Sequence, residues 1–312
     1  MHTVLLSQAI CSEAMAMLEG RVRILLPEEP GQEAFERLLP EADALILRTN
    51  VKMNRSAVEK AEKLQIVCRT GVGTDNVDKE ACRQKGVLVA NTPDANTTSV
   101  VEHTIALALA LSKRLPLYNS AVREGNWKLR STYVSCELYG KTAGIVGYGR
   151  IGRRVAQVFR QAFGMQIIAY DPFVKPEDYP QDRITADVRD VFREADVVTM
   201  HCPSIPETKG MVNAELLRIA KPSMILVNCA RGDVLVEADL VEALQQGVVA
   251  AAGLDVFENE PVAQDNPLCA MDNVILTPHI AALTMEASVN VACQAVEQAL
   301  IKLDGGTPPH LV

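Results

Sequence analysis

The stretch GIVGYGRIGRRVAQVF, residues 144–159, constrains this chain more than any other. Gly147, Gly149 and Gly152 have the G-x-G-x-x-G spacing of a phosphate-binding turn. That spacing alone is a weak signal, and its context decides the reading. An apolar run over 143–146 precedes it, a helical pattern from Arg150 to Phe163 follows, and the next run, QIIAYD, delivers Asp171. Backbone N–H groups at the start of such a helix hold a pyrophosphate. A carboxylate at the end of the next strand accepts hydrogen bonds from the adenosine ribose and repels a 2′-phosphate, for which Pro172 and Phe173 offer no cation. The expected cofactor is therefore NAD rather than NADP.

A unit of this kind usually opens a domain, yet it begins almost halfway along 312 residues. The residues before it are not a tail. TVLLS, VRILL, DALILR, LQIVCR and GVLVAN alternate with amphipathic segments such as Met53 to Glu62, which predicts βαβ units and a first parallel sheet over about the first 90 residues. A long helix is expected through TTSVVEHTIALALALSKRL, with Pro116 near its end, followed by a connector containing Trp127 and showing no clear period. The alternation then restarts: KTAGIVG, QIIAYD, DVVTMHCP, SMILVNCA, VVAAAGLDV and NVILTPH read as six further strands of a fully covered parallel sheet. The fold class is α/β with two doubly wound sheets.

Composition excludes several classes. Charges of 31 and 39 give a net −8 with no long block of one sign, which argues against nucleic acid as partner. The longest greasy stretch, TIALALALS, is far too short to span a bilayer, and the N-terminus lacks the basic region of a signal peptide, so no membrane association and a cytoplasmic location are expected. The eight cysteines show neither a C-x-x-C pair nor zinc-like spacing; they are expected to be reduced, partly buried thiols, and no metal site is expected.

Four polar residues stand where the apolar runs end: Arg231 beyond ILVNCA, Asp255 in GLDV, Glu260 five residues on, and His279 beyond VILTP. Ligands of open parallel sheets bind at the carboxyl ends of the strands. A lone histidine there would more often be structural, but Glu260 and Arg231 on the same rim argue for chemistry. Histidine can exchange a hydroxyl proton, a carboxylate on its other ring nitrogen fixes the tautomer, and an arginine grips a carboxylate bidentately. Asp255 is expected to hold the carboxamide of the nicotinamide. Together these fit hydride transfer between a nicotinamide and a 2-hydroxy acid.

The segments GYGRIG…YDP, VNCARGDVLVE, GLDVFENEP and LTPHIAALT resemble the signature set of the D-isomer-specific 2-hydroxyacid dehydrogenases, and RTGVGTDNVD and NTPDANTTSVVEH extend the resemblance upstream. The resemblance implies Arg231, Glu260 and His279 as the catalytic set. It implies cofactor contacts at Val72, Gly147, Gly149, Arg150, Ile151, Gly152, Asp171, Cys202, Cys229, Ala230, Asp255 and Ala282. It implies a Rossmann cofactor domain, residues 96–284, inserted into a flavodoxin-like substrate domain formed by 1–95 and 285–312, with substrate held in the cleft between them and hinges near Pro93 to Asn96 and Ala282 to Met285. It also implies a homodimer with contacts from Thr98 to Leu115 and the Trp127 connector.

Arg48 and Arg69 end two predicted strands, beside the loop Gly71, Val72, Gly73. They either pair with nearby acids or serve a substrate. With Asn96, they resemble the pattern of 3-phosphoglycerate dehydrogenases, in which they serve the phosphate end. This implies NAD-dependent oxidation of 3-phosphoglycerate to 3-phosphohydroxypyruvate, a step of serine biosynthesis, without the C-terminal regulatory domain. A small anionic 2-hydroxy or 2-oxo acid is the expected partner. Hydroxypyruvate or glyoxylate reduction and a sulfolactate-type activity remain alternatives, and so does an NAD(H)-sensing regulator resembling corepressors. A formate dehydrogenase would carry glutamine where this chain has Glu260. Asp233, two residues from Arg231, departs from the family pattern: turned inward it would weaken anion binding, and facing solvent at a helix start it would be harmless.

Overall fold

Short runs of Val, Ile, Leu and Ala that are apolar on both faces become strands only where both faces are covered. The computed structural model, which describes residues 1–132 and 134–312, shows this arrangement twice. The chain divides into two units, Met1–Thr97 with Ala282–Val312, and Thr98–Ala281.

The first unit contains β1 (Thr3–Leu6), β2 (Arg23–Leu25), β3 (Ala44–Leu47), β4 (Ile66–Arg69) and β5 (Leu88–Ala90). All pair in parallel in the order β2-β1-β3-β4-β5, the flavodoxin-like order. Leu5, Leu45, Leu47 and Val67 pack on one face with Phe35, Val58 and Cys82. Val4, Ile46 and Cys68 pack on the other with Leu18, Ala295 and Ala299. The helix Met285–Leu303 thus belongs to this core, although it lies almost 200 residues beyond β5 in the chain.

The second unit contains β6 (Thr142–Val146), β7 (Gln166–Tyr170), β8 (Arg183–Thr185), β9 (Val197–Met200), β10 (Ile225–Asn228), β11 (Ala251–Leu254) and β12 (Val274–Leu276). The order β12-β11-β10-β9-β6-β7-β8 is the Rossmann order with one strand added, and its switch point lies between β6 and β9. The helices Thr97–Ser112 and Arg150–Phe163 cover one face; Val188–Glu194, Ala214–Arg218 and Glu237–Gln245 cover the other.

Two expectations are corrected. Among the described residues this sheet has seven strands rather than six: β8 is three residues long, pairs there with β7 alone and is partly exposed, so it carries no apolar run to read. The expected connector begins with a second helix, and the long helix is shorter than expected. It ends at Ser112, Arg114 takes a left-handed conformation (φ 52°), and a second helix runs over Leu115–Arg123. Pro116 starts the second helix instead of ending the first, because the first turn of a helix does not need the N–H that proline lacks. The Trp127 connector forms a 3-10 turn over Trp127–Thr132.

Candidate active site

The glycine turn sits at the switch point of the second sheet. A Cβ on Gly147 (φ 91°) would lie 2.7 Å from the backbone nitrogen of Cys202, and one on Gly152 would overlap the carbonyl oxygen of Gly147. Both glycines therefore serve internal packing of the turn against β9 and the helix. Gly149 has open space where its Cβ would stand and precedes the helix Arg150–Phe163, whose first turn receives no side-chain cap. The unfilled space and the uncapped N–H groups suit a pyrophosphate. Asp171, just past β7, accepts the N–H of Tyr148 through Oδ2 (2.8 Å) and that of Phe173 through Oδ1 (2.9 Å). Each oxygen keeps a lone pair for a ribose hydroxyl. The turn is also held from behind, where the Tyr148 hydroxyl donates to the buried Asp182, which pairs with Arg160. Of the other expected cofactor contacts, Arg150 is exposed, Ile151 and Ala230 are half-buried, and Cys202 and Cys229 follow β9 and β10. Burial pushes the Cys202 thiol up to about 11 and the Cys229 thiol up to about 12, so both are neutral.

The chemical groups cluster beyond three neighbouring strands. Asn228 of β10 is in register with Leu254 of β11, which is in register with Leu276 of β12. Arg231, Asp255 and His279 follow these positions by three, one and three residues. Asn228, fully buried, shapes the Arg231 turn: its Oδ1 accepts the Ala230 N–H (3.0 Å) and its Nδ2 donates to the Arg231 carbonyl (2.9 Å). The next residue, Gly232, lies so close to Phe257 that a Cβ would overlap the Phe257 carbonyl. This contact locks the arginine turn to the loop that carries Glu260. Asp233 neither turns toward Arg231 nor stands alone in solvent; its Oδ2 accepts from Ser204 Oγ (2.7 Å) and pairs with Lys209 Nζ (3.4 Å).

His279 Nδ1 lies 2.8 Å from Glu260 Oε2, and Glu260 Oε1 accepts the Phe257 N–H (3.1 Å). A carboxylate only accepts, so Nδ1 carries the proton and Nε2 presents its lone pair. The imidazole is half-exposed. Its backbone is left-handed (φ 55°), an uncommon state for a residue with a Cβ that persists where the surroundings over-determine it. The His201 imidazole, in contrast, is pushed down to about 3 by burial and is neutral.

Asp255 is the residue expected to hold the carboxamide. Its carboxylate is fully buried and already accepts from Thr277 Oγ1 (2.6 Å), Ile280 N (2.9 Å) and Ala281 N (2.8 Å). It fastens the loop around His279. Asn228, Gly232 and Thr277 also shape this rim; in the sequence only the first carries a mark, a polar Asn closing an apolar strand.

In the first unit, Arg48 and Arg69 stand at the ends of the neighbouring strands β3 and β4, where Leu47 is in register with Arg69. Asn76 bridges their loops, donating to the Arg48 carbonyl (2.8 Å) and accepting from Arg69 Nε (3.3 Å). Arg48 Nη1 donates to the Ala9 carbonyl (3.1 Å). A Cβ on Gly71 (φ 138°) would lie 3.0 Å from Arg69 Nη1, so the glycine loop is laid along that guanidinium. Val72 is exposed, Gly73 and Ala282 are half-buried, and Asn96 is buried with its Oδ1 lacking any hydrogen-bond partner among the described residues. A buried acceptor left unpaired costs about 1–3 kcal/mol, which makes this oxygen ready for an incoming donor.

Residues 105–281 match the model of the D-isomer specific 2-hydroxyacid dehydrogenase NAD binding domain. The D-3-phosphoglycerate dehydrogenase of Mycobacterium bovis is 40% identical over 310 residues, 99% of this chain and 58% of that protein. The Bacillus subtilis protein of the same name is 44% identical over 259 residues, 83% of this chain and 49% of its own length. The matched region thus spans 58% of the Mycobacterium bovis protein and 49% of the Bacillus subtilis one. Among solved structures, the TT0316 protein of Thermus thermophilus superimposes with a TM-score of 0.92 at 32% identity, covering 99% of both chains. A glyoxylate reductase from Paecilomyes thermophila gives 0.91 at 26% identity, covering 100% of this chain and 98% of that one. With a family model matched over more than half of its length, the chain belongs to the D-isomer specific 2-hydroxyacid dehydrogenase family.

Proposed function

We propose that this chain is an NAD-dependent dehydrogenase of small anionic 2-hydroxy acids, with 3-phosphoglycerate as its substrate and 3-phosphohydroxypyruvate as product. The observation that carries the reading is the 2.8 Å bond between His279 Nδ1 and Glu260, which leaves Nε2 as the group that takes the hydroxyl proton. Arg231 holds the carboxylate and polarises the C2 oxygen, Glu260 stabilises the imidazolium that forms, and Asn228 keeps the arginine turn in place. Bound NAD supplies the acceptor for the C2 hydride. The roles of Gly149, Arg150 and Asp171 are to hold that cofactor.

Arg48 and Arg69 serve the phosphate end, together with the backbone of Gly71 to Gly73 and with Asn96. Two guanidinium groups on adjacent strands match a doubly charged tail better than the neutral tail of lactate or glycerate. The relatives named D-3-phosphoglycerate dehydrogenase support the same choice. A turnover panel tests it. Phosphoglycerate should exceed glycerate and lactate in kcat/KM, and Arg48→Ala should cut that preference about tenfold or more, as loss of a charge-assisted hydrogen bond does. Equal kcat/KM for all three acids would remove the phosphate assignment. NAD binding with no turnover of any 2-hydroxy acid would favour the regulator instead.

We further propose a homodimer in a reducing, cytoplasmic setting. Leu115, Val122 and Trp127 are 54%, 59% and 65% exposed along one short segment, an apolar stretch suited to a partner subunit. All eight cysteines are free, and no helix of the described residues is long and apolar enough to cross a membrane. Light scattering should give twice the chain mass, and Trp127→Lys should shift it toward the monomer; a monomeric wild type would refute the interface.

A further inference from the structure

The helix Thr97–Ser112 contributes a second histidine close to the site. His103 Nε2 lies 3.0 Å from Thr277 Oγ1 and 3.6 Å from Asp255 Oδ1, and its side chain is mostly buried. Thr277 has one hydroxyl proton and stands 2.6 Å from Asp255 Oδ1. The carboxylate has no proton to give, so the threonine donates to it and accepts from His103 Nε2–H. The direction of every bond in the chain His103, Thr277, Asp255 follows from that one proton.

This chain ends on the loop that carries His279. Asp255 receives Thr277 from one side of His279 and the N–H groups of Ile280 and Ala281 from the other, while its own carbonyl accepts the His279 N–H (2.9 Å). These bonds wrap the backbone of 277–281 around one buried carboxylate and force the left-handed conformation of His279. Without His103, the Thr277 hydroxyl loses the donor that orients it, and the buried carboxylate loses a polar neighbour in a site where unpaired groups are costly.

We propose that His103 is a positioning residue: acting through Thr277 and Asp255, it sets the backbone of His279 so that Nδ1 stays on Glu260 and Nε2 stays available to substrate. The proposal rests on the reading of His279 as the proton-exchanging group.

The test uses the full chain and its variants. His103→Phe should lower kcat by roughly tenfold to a hundredfold, because misplacement of a catalytic group by about 1 Å has effects of that size, while the KM for NAD changes by less than about twofold. His103→Gln, whose side-chain amide can donate to Thr277, should restore most of the loss. Thr277→Val should reproduce it and add nothing in the double variant, and it provides the same reading if His103→Phe fails to fold. The ¹³Cδ2 shift of His279, assigned by its loss in His279→Gln, reports which ring nitrogen holds the proton. It should show Nδ1–H in the wild type and a tautomer mixture in His103→Phe.

Wild-type kcat in His103→Phe, or a loss that His103→Gln does not relieve with the His279 tautomer unchanged, overturns the positioning role. If the tautomer shifts in His103→Phe while His279→Gln keeps full turnover, positioning stands and the acid/base reading falls. An unchanged tautomer together with an inactive His279→Gln has the opposite meaning.

Discussion

Replacing His279 with glutamine should lower kcat by about 10²–10⁴-fold, the range of general acid–base catalysis, and leave NADH affinity within about twofold. Glutamine fills a similar volume and can hydrogen-bond Glu260, so the loop should survive. It cannot carry the hydroxyl proton away. The expected outcome is a protein that binds NADH normally in a fluorescence titration and scarcely turns over. Near-normal turnover would show that another group takes the proton and would remove the Glu260–His279 pair from the mechanism. The prediction is sharp because the pair is geometrically complete: Glu260 is held by the Phe257 N–H on one oxygen and meets His279 Nδ1 on the other.

The second large effect is expected at a residue without a side chain. In Gly232→Ala the new methyl overlaps the Phe257 carbonyl, and both backbones are tied: Arg231 to Asn228, and Phe257 to Glu260. One must move, and each adjoins a residue proposed for catalysis. A displacement on the order of 1 Å should cost about a hundredfold in kcat/KM, with a stability loss of roughly 1–3 kcal/mol from overpacking. Asp233→Asn provides the contrast one residue away. Its carboxylate faces Ser204 and Lys209, so kcat/KM should remain within about twofold of wild type. If Gly232→Ala retains wild-type kcat/KM with normal stability, the arginine turn and the Glu260 loop are not coupled.

Much of the candidate site was legible because the proposed chemistry needs distinctive residues at strand ends. An apolar run that stops at Arg231, Asp255 or just short of His279 marks the rim of a parallel sheet without any coordinates. The strands were legible for the same reason, except β8, whose three edge residues bury too little to need an apolar pattern. The helix break at Arg114 was not legible: Pro116 is compatible with the end of one helix or the start of the next, and the left-handed Arg114 that decides between them carries no compositional mark. The strand-end position of Asp255 was legible, and its burial and three donors were not, because they come from segments more than twenty residues away.

Local periodicity and side-chain chemistry are carried residue by residue, so the two parallel sheets, the cofactor turn and the candidate reacting groups are legible in linear order. How those groups are held is fixed only in three dimensions. The tautomer of His279, the close approach of Gly232 to Phe257, the bridge of Asn76 between Arg48 and Arg69, and the line from His103 to the His279 loop are relations between separate segments of the chain. Such relations depend on distances of a few ångströms, and linear order holds no distance. The GIVGYGRIG turn shows both sides: its spacing announces a phosphate site, but only the packing shows that Gly147 and Gly152 serve the protein while the space beside Gly149 is open.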